Sequence, residues 1–70
     1  MKTVEITREP VELYKILKFE GMVTSGGEAK QVIDDGQVIV NGEVETRKRK
    51  KIVSGDIIEF GTDKILIKLI

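Results

Sequence analysis

With 70 residues, 12 basic and 12 acidic side chains, and neither cysteine nor histidine, the chain is read as a single domain, residues 1–70, with a small core. It has no disulfide or thiolate metal site, and it lacks the usual general base, the Ser-His and Cys-His nucleophile pairs and the commonest zinc ligand, so neither an enzyme nor a metal or cofactor is expected. Zero net charge argues against coating nucleic acid by bulk attraction, but it allows a local basic patch, because exposed charges act over a Debye length of ~10 Å.

Thr3 to Thr7 alternates polar residues with Val4 and Ile6, as a short half-buried edge strand would. Pro10 suits a first helical position. Leu13, Ile16 and Leu17 then give an apolar stripe, with Lys15 and Lys18 pointing elsewhere, and Gly21 ends the helix. Met22 and Val23 are expected between two helices. Tyr14 and Phe19 are expected at the core or its rim, and a base-stacking role for Tyr14 is the competing reading.

Ser25 to Gly42 is the most informative stretch. Ser25 and Glu28 have capping-box spacing, the serine oxygen accepting from the N–H three residues on and the glutamate reaching back to the serine N–H. Ala29, Val32 and Ile33 form the core face of a helix over 26–35, while Gly27, Lys30, Gln31 and Asp34 form the other. Gly26 and Gly27 admit two explanations: a tight interhelical turn, or bare N–H groups left open to a phosphate. Gly36 follows the last apolar position, where a left-handed residue ends a helix. Val38 and Val40 then alternate as in a strand, Asn41-Gly42 is a type I′ hairpin signal, and Glu43 to Glu45 returns as its partner.

Arg47-Lys48-Arg49-Lys50-Lys51 holds five of the 12 basic groups, so the remainder is net acidic by five. Clustering of this kind raises self-repulsion, and a polyanion relieves it; the competing reading is a solvated charged face. Ser54-Gly55-Asp56 is a turn, Ile57 to Phe60 a strand, Gly61 to Asp63 a turn, and Ile65 to Ile70 a last strand with Ile65, Ile67 and Leu69 on one side. The expected fold is α+β, two helices packed on a small antiparallel sheet in the order β-α-α-β-β-β-β. No apolar run is long enough to span a membrane, and the amino terminus lacks a signal-peptide core, so a cytoplasmic location is expected.

Gly21, Ser25, Glu28-Ala29-Lys30, Ile33, Gly36, Val38, Val40, Asn41-Gly42 and Gly55-Asp56 resemble the S4 RNA-binding domain at the same spacings. The likeness covers roughly residues 12–60 and is nearest to the small free-standing bacterial members. It implies the S4-like, or αL, fold, in which the two-helix unit and the loops after it face RNA. By position, Lys15, Ser25 and Lys30 match basic or polar residues of the family. Two positions depart. Glu12-Leu13-Tyr14 stands where the family often has Arg-Leu-Asp, and Gly26 stands where it often has arginine. Both departures take charge or polarity from the helix face and move the electrostatic centre towards residues 47–51.

The function expected is recognition of structured RNA, of the rRNA or tRNA class, by backbone phosphates and shape. Arg47, Lys48, Arg49, Lys50 and Lys51 are expected on phosphates, with Lys15, Ser25, Lys30, Gln31 and the Gly26 and Gly27 amides fixing orientation. The partner is structured RNA, with the ribosome or an assembly intermediate as its setting, and the protein acts as a monomer. The alternative is a protein-interaction module docking on an acidic partner surface.

Overall fold

A computed structural model describes all 70 residues. The elements are β1 (Lys2–Ile6), β2 (Val11–Glu12), α1 (Leu13–Phe19), α2 (Gly26–Asp34), β3 (Val38–Val40), β4 (Glu43–Val44), β5 (Lys51–Ile52), β6 (Ile57–Phe60) and β7 (Asp63–Leu69). Two helices lie with a five-stranded sheet ordered β1-β7-β6-β3-β4, and β2 and β5 form a separate antiparallel pair. The α+β class is as expected, with two differences in the strands. The sheet is mixed, because β1 runs parallel to β7, from Lys2 opposite Ile65 to Ile6 opposite Leu69. The β2–β5 pair also adds two short strands to the expected order.

That pair explains why α1 starts later than Pro10. Val11 and Glu12 are committed to Ile52 and Lys51, so their backbone is extended, with Glu12 at φ −69° and ψ 137°. The helix begins at Leu13 with no side-chain cap. Backbone carbonyls of the basic loop take that role: Leu13 N–H donates to the Lys50 oxygen (2.9 Å) and Tyr14 N–H to the Lys48 oxygen (3.1 Å). Two of the donors that a helix start leaves unpaired are satisfied in this way, and residues 48–50 are thereby fixed to α1.

The second helix follows local rules. Ser25 Oγ accepts from Glu28 N–H at 3.1 Å. The reciprocal arm lands one residue earlier than expected: Glu28 Oε1 accepts from the Thr24 N–H (2.6 Å) and the Thr24 hydroxyl (2.8 Å), not from Ser25 N–H. Gly36 ends the helix at φ +77°, and Asn41 (φ +53°) with Gly42 (φ +85°) gives the hairpin its two positive-φ residues. Asn41 also reaches across the sheet. Its Nδ2 donates to Asp56 Oδ1, its Oδ1 accepts from Ile57 N–H, and Asp56 Oδ2 accepts from Val53 N–H, each at 2.9 Å. The Asn41-Gly42 hairpin and the Gly55-Asp56 turn are thus one hydrogen-bonded corner.

The core is wholly apolar. It joins Leu13, Ile16 and Leu17 of α1, Ala29, Val32 and Ile33 of α2, and Val38, Val40, Ile52, Ile58, Ile65 and Ile67 of the strands, together with Val4 and Val23. Met22 and Tyr14 pack on its margin. Phe19 does not: it is 70% exposed in the last turn of α1, one turn beyond Ile16 at the end of the helix. No helix is long and apolar enough to cross a membrane.

Candidate nucleic-acid interface

The docking of residues 48–50 on the start of α1 brings three elements to one side chain. The Tyr14 ring has Lys30 Nζ at 4.7 Å from its centroid, Arg49 Cζ at 5.7 Å and Lys15 Nζ at 5.9 Å. Lys15 comes from α1, Lys30 from α2 and Arg49 from the basic loop. A ring face carries negative quadrupole density, so cations within about 6 Å are attracted to it. The three residues are far apart in sequence, and each is carried there by the packing of its own element.

Carboxylates orient most of the surrounding cations. Glu12 lies between Lys15 (3.1 Å) and Arg49 (3.3 Å). Hydrogen bonding to Lys15, with further attraction from Lys15 and Arg49, holds the Glu12 carboxyl below its ordinary pKa. Glu45 grips Arg47 with both oxygens, at 2.9 Å to Nε and 3.0 Å to Nη2, and also accepts from the Arg47 N–H at 3.0 Å. The side-chain bonds to Arg47 lower the Glu45 pKa and raise that of the guanidinium. Lys48 Nζ is 4.0 Å from Asp34 at the end of α2. Lys30, Lys50 and Lys51 form no ion pair. Seven basic side chains therefore face three interspersed acids, Glu12, Asp34 and Glu45, and the patch stays positive on a chain of zero net charge.

Of the residues singled out from sequence, Lys15, Lys30 and Arg49 meet around Tyr14, and Lys48 sits against the end of α2. Arg47 is turned to Glu45, Lys50 contributes its carbonyl to α1, and Lys51 lies exposed in β5 beside Glu12. The Ser25 side chain caps α2, and Gln31 Nε2 donates to Asp35 Oδ1 at 3.0 Å. Gly26 and Gly27 do not mark a crowded turn. Neither has positive φ, and an added Cβ would meet nothing nearer than 4.0 Å and 3.8 Å respectively. Their N–H groups find no acceptor within the chain. Sequence reasoning missed Glu12 and Glu45 as orienting groups and Tyr14 as the meeting point. Glu45, two residues before Arg47, and Glu12, three before Lys15, were the locally readable signals; the Glu12–Arg49 pair and the meeting at Tyr14 depend on the docking of separate elements.

The S4 domain family model matches residues 4–68. YbcJ of Escherichia coli (strain K12) is 46% identical over 68 residues, covering 96% of this chain and 97% of YbcJ. The "Probable ribosome maturation protein RlbA" of Bacillus subtilis (strain 168) is 32% identical over 66 residues, covering 90% of this chain and 93% of RlbA. The solution structure of E. coli YbcJ, which reveals an αL motif involved in RNA binding, superposes with a TM-score of 0.74 at 45% identity, covering 97% of this chain and 87% of that one.

Proposed function

The chain belongs to the S4 domain family, and we propose that it binds structured RNA, with ribosomal RNA as the class, through backbone phosphates and helix shape. The observation that carries this reading is the convergence of Lys15, Lys30 and Arg49 on one ring, beside a loop whose backbone is fixed to α1. Arg47, Lys48, Lys50 and Lys51 extend the patch along that loop. The Gly26 and Gly27 amides at the start of α2 add two unpaired donors, and Ser25 holds that helix start in place. Two relatives support the choice of RNA and of its class: the YbcJ motif is involved in RNA binding, and RlbA bears a ribosome maturation name. The protein acts as a monomer in the cytoplasm, on the ribosome or an assembly intermediate.

Fixed cations on a rigid frame suit phosphates at set spacing, while single-strand binders stack bases on several aromatics, and this chain has three aromatic residues in all. Engagement of about four phosphates gives a log–log salt dependence with a slope of roughly −3 to −4. Crosslinking in cells followed by sequencing of the bound RNA tests the reading, alongside a chain with residues 47–51 changed to glutamine. Enrichment of one structured RNA, lost in the variant, is the expected result. No enrichment over background would reject RNA and turn attention to an acidic protein partner.

A further inference from the structure

We propose that Tyr14 is a positioning residue of this interface, its ring gathering Lys30 and Arg49, with Lys15 beside them, into one fixed cation cluster for the phosphates of a single RNA strand. The inference rests on the RNA-binding reading above. Lys15 and Arg49 share the Glu12 carboxylate, which offsets their mutual repulsion. Lys30 has no carboxylate partner. The ring, at 4.7 Å from its ammonium, is the group that holds it. A lysine on a four-carbon stem otherwise spreads its charge over many rotamers, and a phosphate contact made by a pre-ordered cation loses less freedom on binding.

Tyr14 is suited to the task by what anchors it. The residue is half-buried and packs on the apolar core, and its backbone N–H is bonded to the Lys48 carbonyl in the same loop that carries Arg49. Ring, loop and helix therefore move as one piece. The phenolic hydroxyl makes no hydrogen bond within the chain. The aromatic face, not the hydroxyl, is the working part, so phenylalanine is a faithful replacement. Leucine keeps the apolar packing and removes the quadrupole.

The test measures affinity of the full chain for a synthetic RNA hairpin across a salt series. Tyr14→Phe is expected to match the unsubstituted protein. Tyr14→Leu is expected to bind about fivefold more weakly, the loss of two exposed cation–π contacts, with a salt slope shallower by about one. Lys30→Met is expected to do the same, and the double variant to lose less than the product of the two. In the free protein, the Lys30 side-chain protons should show upfield ring-current shifts by NMR, a readout that needs neither RNA nor a folded Leu variant. Wild-type affinity and slope in Tyr14→Leu, equal loss in Tyr14→Phe, or absence of those ring-current shifts would overturn the proposal. Failure of the RNA reading is separable: the unsubstituted protein would then bind the hairpin no better than the chain with glutamine at 47–51, and the inference would fall with it.

Discussion

Thr24, Ser25 and Glu28 divide the start of α2 among them: the serine oxygen takes one helix N–H, and the glutamate takes the N–H and hydroxyl of Thr24. This has a pH signature. Donation from the Thr24 backbone, then from its hydroxyl, lowers the Glu28 pKa from its ordinary 4.5. A carboxyl depressed by folding stabilises the protein above its unfolded pKa, and that contribution is lost as pH falls through the folded value. Glu12 and Glu45 are depressed by their cations and act in the same direction. Urea melts at stepped pH should therefore show stability falling on acidification from about pH 5, with a shallower fall in Glu28→Gln. An unchanged acid limb in that variant would count against the Thr24 bonds. The serine-to-glutamate spacing was readable in the sequence because both groups lie within one helical turn. The choice of Thr24 over Ser25 as the glutamate's partner was not, since it depends on how the chain enters the helix.

Local elements were legible and distant pairings were not. The second helix, its glycine stop and the Asn41-Gly42 hairpin depend on neighbours within a few residues, and all three stand where the residue pattern puts them. The start of α1 was misjudged because Val11 and Glu12 pair with residues from the far half of the chain. The parallel β1–β7 ladder joins opposite ends of the sequence, and alternation within a strand carries no information about the direction of its partner. The interface was legible as a charge cluster but not as a geometry, because Tyr14, Lys30 and Arg49 meet only after the helices and loop have docked. The carbonyls of Lys48 and Lys50 make that docking testable. Inserting two glycines between Lys48 and Arg49 should release the Leu13 and Tyr14 amides to hydrogen exchange while leaving α2 protected. Continued protection of both amides would mean that α1 does not depend on the loop.

For the molecule as a whole, an apolar core of 14 buried residues with no polar member must carry nearly all the stability. Ile33 is fully buried between helix and sheet, so Ile33→Ala should cost roughly 2–5 kcal/mol in urea unfolding, enough to bring a domain this small close to its unfolding threshold. Phe19→Ser at an exposed position should change stability by no more than about 0.5 kcal/mol. Equal effects would mean that Phe19 is covered in solution. The charge balance works at the same scale: a neutral chain with a positive face has an acidic remainder, which favours one orientation on a polyanion over another. The parallel ladder between the first and last strands gives the protein a mechanical character as well. Lys2 lies beside Ile65 and Ile6 beside Leu69, so tension applied between residues 1 and 70 drags the two strands past each other lengthwise. The ladder's hydrogen bonds share that load and must yield together, whereas the antiparallel β3–β4 hairpin, pulled from its two open ends, would peel one bond at a time. In a force spectrometer the chain held by its termini should resist as a shear clamp, and attachment points moved to Val38 and Glu45 should open that hairpin at a markedly lower force.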